Sequence, residues 1–259
     1  MSKKLSGKVA VITGASSGIG ACTAVHFAGL GCSLVLTGRL AENLEQTKQQ
    51  CIQQGLKQNE LALVVADLTN DDDRQKIVET VQKAFGHLDI LVNNAGMLAS
   101  GPFDSTPIDV YDRIMDINVR SMVVLTQMFL PMLEKCKGCV VNVSSINGPR
   151  SFANVGYYCM SKAAVDQFTK CLALEMAPKS VRVNAVCPGV VVTAVHRRAG
   201  MSEEAYAKFL EHSKTTHALG RPGDPKEVAK AIEFLAVDAT FTTGELLKVD
   251  GGRGLMTPR

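Results

Sequence analysis

Tyr158 and Lys162 stand four residues apart in a helical stretch, so their side chains project from one face, about one turn apart. A free tyrosine has a pKa of about 10, and a neighbouring ammonium favours its phenolate, so this pair can donate and accept a proton. Ser144 and Ser145 end an earlier apolar run and offer a hydroxyl to a substrate oxygen. Tyrosine and lysine are also common on helices, so the spacing alone leaves a surface or packing role open.

A glycine-rich segment, residues 13–20 (TGASSGIG), follows the first predicted strand and opens the first predicted helix. Glycine allows the sharp turn and the close approach of a diphosphate, and the helix N-terminus offers free N–H groups. The GxxxGxG spacing of Gly14, Gly18 and Gly20 differs from GxGxxG, and no lysine follows it, which argues against a phosphoryl-transfer loop. The alternative is a turn that merely joins a strand to a helix.

The residues at the end of the second predicted strand indicate which dinucleotide is bound. Sites for NAD carry an acid there for the ribose 2′-hydroxyl, whereas NADP needs a cation for its 2′-phosphate. The sequence has Arg39 and no acid, and Ser16 and Ser17 add hydroxyls. We therefore predict NADP(H), with NAD(H) less favoured. The alternative for Arg39 is a solvated surface arginine.

Small and polar residues follow the third and fourth predicted strands, at the edge where open α/β sheets bind ligands. They are Asp67 and Leu68 after the third strand, and Asn94, Ala95 and Gly96 after the fourth. We predict that they form a wall beside adenine and ribose. An asparagine that simply caps the turn is compatible with this role.

These residues need a sheet whose strands end at one edge, and the apolar pattern predicts one. Short β-branched runs alternate with helical stretches, which predicts right-handed βαβ units. Several runs are apolar at nearly every residue, as in strands covered on both faces. The predicted fold is an α/β, Rossmann-type doubly wound parallel sheet of about seven strands with helices on both faces. The predicted strands are residues 9–13, 33–37, 61–66, 88–93, 139–144, 181–186 and 247–249, and the predicted helices are residues 19–30, 42–54, 71–85, 107–134, 155–177 and 225–236.

No repeat or linker interrupts this alternation, so we predict a single domain over residues 1–259. Residues 190–219 form a longer insertion rich in charged and small residues, which we expect to cover the site as a lid. Met201, Tyr206 and Phe209 recur in it at roughly helical spacing, which favours packing inside the lid over a wall of the pocket.

Composition argues against several classes of function. The net charge of +3 comes from lysines and arginines spread along the 259 residues, which argues against a nucleic-acid partner. No signal peptide or membrane span is predicted, and eight irregularly spaced cysteines indicate reduced thiols in the cytoplasm. Cys136 and Cys139 form a lone CxxC pair without matching ligands, so no metal site is predicted.

Together these motifs resemble those of the short-chain dehydrogenase/reductase family, in particular its single-domain branch of 3-oxoacyl-acyl-carrier-protein reductases and related carbonyl reductases. They follow the family's order along nearly the full chain. The matching positions are residues 13–20, residues 93–96, Asn118, Ser145, Tyr158, Lys162, Pro188, Gly189, Thr193 and residues 249–252.

The resemblance implies an oxidoreductase that interconverts a carbonyl and a secondary alcohol, with a catalytic tetrad of Asn118, Ser145, Tyr158 and Lys162. Ser145 and Tyr158 would hold the carbonyl oxygen, and Tyr158 would transfer the proton. Lys162 would hold the nicotinamide ribose, and Asn118 would anchor a water that relays protons, a role compatible with an asparagine that bends its own helix. The cofactor contacts that the resemblance implies are Ile19, Asp67, Leu68, Asn94, Pro188, Gly189, Val191 and Thr193.

The resemblance also implies a homotetramer or dimer joined through residues 107–134 and 155–177. Tyr157 is expected to pack rather than react. A non-catalytic dinucleotide-binding regulator on the same fold is the alternative function, and the presence of all four tetrad residues argues against it. Isomerase or dehydratase chemistry is disfavoured, because we expect no sizeable C-terminal substrate domain.

The small-molecule substrate stays open among a 3-oxoacyl thioester, a steroid and a small ketone. Met97, Phe152 and Asn154 are predicted to line its pocket. The direction of the reaction depends on the cofactor, and NADPH favours reduction.

Overall fold

A computed structural model describes residues 3–256 and contains one parallel sheet in the order β3-β2-β1-β4-β5-β6-β7. The fold class predicted from the sequence is confirmed, and each strand lies within two residues of its predicted limits. The strands are β1 (Val9–Thr13), β2 (Ser33–Gly38), β3 (Leu61–Val65), β4 (Ile90–Asn93), β5 (Cys139–Val143), β6 (Arg182–Pro188) and β7 (Leu246–Val249).

Alternate residues of the central strands point to opposite faces, and helices cover both. Ala10 and Ile12 of β1 belong to one apolar cluster, whereas Val9 and Val11 belong to another. This is why the strand reads as a continuous apolar run. The helices are α1 (Gly18–Gly29), α2 (Ala41–Gln53), α3 (Asp71–Ala84), α4 (Ile108–Met115), α5 (Ser121–Cys136), α6 (Gly156–Met176), α7 (Val195–Arg198), α8 (Glu203–Thr216) and α9 (Pro225–Glu233).

The strand order reverses direction between β1 and β4, and this point determines where a ligand fits. From β1 the chain proceeds to β2 and β3 on one side, and from β4 it proceeds to β7 on the other. The connections therefore diverge above the carboxyl ends of β1 and β4, which leaves a crevice there. Thr13 and Asn93, the last residues of these two strands, lie at its base.

Two segments differ from the sequence-based prediction. The helix predicted over residues 107–134 is interrupted by a π-helical turn, Asp116–Arg120, in which the Asn118 side chain makes hydrogen bonds to Met97, outside the helix. The insertion at residues 190–219 contains two helices, α7 and α8, that the sequence did not resolve. None of the helices within residues 3–256 is long and apolar enough to cross a membrane.

Candidate active site

A cavity of about 900 Å³ lies above the carboxyl ends of the strands, and both the glycine loop and the 190–219 segment contribute to its wall. Most of the residues singled out from the sequence line it. Gly20 and Asn118 do not, because each packs directly behind the wall. The predicted residues on the wall are Gly14, Ser16, Ser17, Gly18, Ile19, Arg39, Asp67, Leu68, Asn94, Ala95, Gly96, Ser145, Tyr158, Lys162, Pro188, Gly189, Val191 and Thr193.

The glycine loop leaves the start of α1 open to a ligand. Gly14 and Gly18 have φ values of +65° and +57°, a region that side chains with a Cβ rarely adopt. Ser17 is the N-cap of α1, but its hydroxyl does not cap the helix and instead accepts a hydrogen bond from Arg198 Nη2 at 2.7 Å. The first N–H groups of α1 are therefore not capped by that side chain, which fits an anionic group such as a diphosphate.

Gly20 is required for a different reason, because other atoms of the protein lie too close to its Cα to leave room for a side chain. A Cβ at this position would lie 2.4 Å from Asn94 Nδ2 and 2.5 Å from Gly14 O. Asn94 Nδ2 also donates to Thr13 O at 2.8 Å, and the N–H groups of Asn94 and Ala95 both donate to Thr13 Oγ1. These hydrogen bonds hold the segment after β4 against the end of β1, beneath the glycine loop.

We expect Gly20→Ala to lower stability by about 1–3 kcal/mol, because the new methyl group overlaps Asn94 and the Gly14 carbonyl. Thermal unfolding followed by circular dichroism should show a melting temperature lower by about 2–4 °C per kcal/mol. Gly29→Ala, at the other end of α1, is the matched control, since its Cβ would lie 3.6 Å from Gln54 Oε1, an ordinary contact. Equal melting temperatures for both variants would contradict the proposed packing.

Arg39 lies at the end of β2, exposed and on the cavity wall. Within residues 3–256 no carboxylate lies within 4.0 Å of its guanidinium, and its charge helps to lower the pKa of the Asp67 carboxyl, after the N–H of Thr69. Thr37, two residues before Arg39, also lines the wall, and its buried Oγ1 has no hydrogen-bond partner within residues 3–256. The structure thus places an unpaired cation and an unpaired hydroxyl at the end of the cavity above β2.

Tyr158 and Lys162 project from α6 toward the middle of the cavity. Lys162 Nζ lies 5.6 Å from the centroid of the Tyr158 ring, and it donates to Val143 O, at the end of β5, at 2.9 Å. Burial raises the pKa of Tyr158 to about 12, and the Ser145 hydroxyl acts in the opposite direction. The expectation that the pKa of Tyr158 is lowered is therefore wrong for this structure, because burial is the largest cause of the shift and raises the pKa.

Burial also changes the titration of Lys162, whose side chain is only 4% exposed. It lowers the pKa of Lys162 to about 8, against the opposing effect of Asp166, one turn further along α6. Asp166 in turn accepts a hydrogen bond from Ser144 Oγ. The amine therefore changes charge in the range in which enzymes work.

Ser145 and Asn118 lie on either side of this pair. Ser145 follows β5, is 7% exposed, and accepts a hydrogen bond from the N–H of Asn147 at 3.1 Å. Asn118 is fully buried in the π-helical turn, a feature common at functional sites. Its side chain accepts from Met97 N and donates to Met97 O and Ser161 Oγ, at 2.8, 2.9 and 3.0 Å. Asn118 thus joins α6 to the segment after β4, and the proton relay stays a prediction.

The 190–219 segment contributes to the cavity wall and reaches the glycine loop through Arg198. The three apolar residues singled out in this segment differ in where they lie. Tyr206 is 2% exposed and donates to Thr193 O at 3.0 Å, so it packs within the segment as predicted. The sequence favoured packing inside the segment for Met201 and Phe209 as well, but both line the cavity. Met97 and Phe152 line it as predicted.

Asn154 does not line the cavity. Its carbonyl accepts from Gly101 N and its φ is +63°, whereas its neighbours Ala153 and Val155 line the wall. Two cations on the wall were not anticipated from the sequence, Arg198 beside the glycine loop and Arg253 after β7. Neither belongs to a motif, so only the folded chain reveals them.

The two thiols of the CxxC pair lie away from this cavity. Cys139 in β5 is buried, which raises the pKa of its thiol to about 11, and Cys136 ends α5. Within the part of the chain that the structure describes, no three His, Cys, Asp or Glu side chains are grouped to hold a metal ion.

Comparison with known proteins identifies the family. The family model described as enoyl-(acyl carrier protein) reductase matches residues 14–253. The 3-oxoacyl-[acyl-carrier-protein] reductase FabG of Thermotoga maritima is 36% identical over 251 residues, which are 96% of this chain and 98% of that protein. The chain belongs to the short-chain dehydrogenase/reductase family.

Two further short-chain dehydrogenases/reductases support this assignment. The meso-2,3-butanediol dehydrogenase of Serratia marcescens is 35% identical over 95% of this chain and 94% of its own. A solved short-chain dehydrogenase/reductase of unknown function from Caenorhabditis elegans, with cofactor, superimposes with a TM-score of 0.94 at 36% identity, covering 98% of this chain and 97% of that one. The named relatives are dehydrogenases or reductases of alcohol or carbonyl substrates, which supports an oxidoreductase, and the family binds NAD or NADP.

Proposed function

We propose that this protein reduces a carbonyl to a secondary alcohol with NADPH, and that Tyr158 is the proton donor. The observation that carries the proposal is the shared cavity: the phenol of Tyr158, the hydroxyl of Ser145 and the amine of Lys162 line the same space as the glycine loop. A phenol and a hydroxyl beside a nucleotide site suit an oxygen that must be held while it gains a proton.

The side chains have distinct tasks in this proposal. Ser145 donates a hydrogen bond to the carbonyl oxygen and orients it. Tyr158 transfers its proton to that oxygen as the carbon is reduced, and its raised pKa keeps it protonated at neutral pH. The ammonium of Lys162, 5.6 Å from the ring centroid, stabilises the phenolate that remains. Asn118 positions α6 through Ser161, and in this proposal it also anchors a water that relays protons from Lys162 to solvent.

The dinucleotide fits the residues present, because the first turn of α1 is uncapped by a side chain and Thr37 lacks a partner in residues 3–256. When bound, it supplies the hydride for the carbonyl carbon. We propose that the glycine loop holds the diphosphate, that Asp67, Leu68 and residues 94–96 line adenine and ribose, and that Pro188, Gly189, Val191 and Thr193 contact the nicotinamide half. Arg39, with Ser16, holds the 2′-phosphate.

Arg39→Ala tests the preference for NADP. We expect the dissociation constant for NADPH to rise by about 10- to 100-fold, since charge-assisted hydrogen bonds to the phosphate are lost. The constant for NADH should stay within about twofold, because that molecule has no phosphate for Arg39 to bind. Titration followed by the fluorescence of the reduced nicotinamide measures both. An equal loss for both dinucleotides would contradict the assignment of NADP.

The non-catalytic regulator is the second candidate, and no similarity to known proteins favours it. A set of carbonyl and alcohol substrates, tested with NADPH and NADH, separates an enzyme from a binding protein. We further propose that residues 1–259 act as one domain, that residues 190–219 cover the substrate, and that copies of the chain form a dimer or tetramer. Size-exclusion chromatography with light scattering tests the last point.

A further inference from the structure

We propose that the substrate carries a carboxylate, and that Arg253 binds it at the end of the cavity opposite Arg39. This inference rests on the proposed function, because it treats that end of the cavity as the substrate site. It assigns the substrate to the oxo acids with an apolar body.

Arg253 directly follows the loop after β7 and contributes to the cavity wall. It is half-buried, and its guanidinium carbon lies 5.2 Å from the centroid of the Phe152 ring. An arginine that stacks on an aromatic face keeps its N–H groups free along its edge. Two parallel donors on that edge match the two oxygens of a carboxylate.

Nothing within residues 3–256 neutralises this guanidinium. No carboxylate lies within 4.0 Å of it, and its N–H groups make no hydrogen bond to those residues. The carboxylate nearest in sequence, Asp250, accepts instead from the N–H groups of Gly252 and Gly254, at 3.0 and 2.6 Å. Burial lowers the pKa of Arg253, and no acid opposes this effect. A half-buried, unpaired charge is costly for the free protein, and a bound anion relieves that cost.

The cofactor's phosphates do not account for Arg253. Arg39 follows β2 and Arg253 follows β7, and these strands are five places apart in the sheet. Five strand spacings correspond to about 24 Å, so one phosphate cannot contact both arginines. The glycine loop follows β1, on the same side of the sheet as Arg39. Arg253 is therefore remote from the 2′-phosphate that Arg39 is proposed to hold, and we assign it to the substrate end.

The neighbouring side chains favour one negative charge on an otherwise apolar molecule. Met201, Phe209 and Phe152 provide apolar surface on the same wall. His196 packs against Phe209 with ring centroids 4.5 Å apart and ring planes tilted by 51°. Its pKa is lowered by burial and then by the charge of Arg253. The histidine is thus neutral at pH 7, and the single positive charge of Arg253 matches a carboxylate better than a doubly charged phosphate.

Binding of unreactive ligands tests this without any catalysis. We expect the free protein to bind 4-phenylbutanoate about tenfold or more tightly than 4-phenylbutanamide, as measured by calorimetry. Arg253→Met, which keeps an apolar stem against Phe152, should remove the difference, and Arg253→Lys should keep part of it. Lys248→Met is the matched control, because Lys248 is an exposed cation in β7 away from this wall. Equal binding of acid and amide to the unaltered protein would overturn the proposal.

Turnover supplies the second test. With NADPH, we expect 4-oxo-4-phenylbutanoate to have a kcat/KM about tenfold or more above that of its methyl ester, and Arg253→Met to remove this advantage. If the ester reacts as well as the acid in the unaltered enzyme, the proposed carboxylate site at Arg253 is contradicted, whereas the proposed reductase function is not. Selective binding of the acid without turnover of any ketone would instead contradict the proposed function and leave the Arg253 site intact.

Discussion

Tyr158→Phe should lower kcat by about 10²- to 10⁴-fold, the usual contribution of a positioned proton donor, with little change in the binding of NADPH. The phenol is the proton source of the proposed reaction, and phenylalanine retains the ring but not the hydroxyl. Turnover is followed through the absorbance of reduced nicotinamide, and cofactor affinity through its fluorescence.

The adjacent tyrosine provides an internal control for this experiment. Tyr157 packs edge-on against Phe103 and Tyr111, with ring centroids 5.2 and 5.4 Å apart, and does not line the cavity. Tyr157→Phe should therefore keep kcat within about threefold, since only a long hydrogen bond to Thr106 O is lost. If Tyr157→Phe loses turnover and Tyr158→Phe keeps it, the proton donor has been assigned to the wrong residue.

Lys162→Met should have the second largest effect, a loss of about 10²-fold or more in kcat/KM, because it removes the charge that stabilises the phenolate. It also removes the donor to Val143 O. A buried ammonium is itself costly, so the melting temperature should not fall in proportion to the activity. A stable variant with nearly full activity would exclude Lys162 from the mechanism.

The pH dependence of kcat/KM in the unaltered enzyme also tests the role assigned to Lys162. Since the pKa of Lys162 is lowered to about 8, the ammonium is present below that pH and is lost above it. We expect kcat/KM for reduction to be level below pH 8 and to fall about tenfold per unit above it, while Tyr158 remains protonated. In Lys162→Met this break near pH 8 should disappear.

The fold could be predicted because the patterns that indicate it lie within short segments of the sequence. Apolar runs such as that of β1 indicate a strand buried on both faces. The glycine loop indicates a turn that needs positive φ at Gly14 and Gly18. Spacing along α6 was enough to place Tyr158 and Lys162 on one cavity wall. In the 190–219 segment the helical spacing of Met201, Tyr206 and Phe209 was recognised, but the bounds of the helices were not, because charged and small residues give weak periodicity.

The electrostatics of the site depend on tertiary structure and could not be predicted in the same way. Spacing suggested that Lys162 would lower the pKa of Tyr158, but burial of both groups, absent from any sequence pattern, dominates. The same limit applies to Arg198 and Arg253, which reach the cavity from α7 and from the loop after β7. The side chain of Asn118, in the π-helical turn, likewise bonds to Met97, which is distant in sequence.

The central claim is that this cavity performs hydride and proton transfer on a carbonyl. It is tested most directly by following NADPH consumption with a set of ketones and oxo acids, and by identifying the alcohol formed by mass spectrometry. We predict consumption of NADPH that depends on the ketone and yields one alcohol for each NADPH, and that is lost in Tyr158→Phe. Saturable binding of NADPH without consumption by any ketone, or turnover unchanged in Tyr158→Phe, would contradict it.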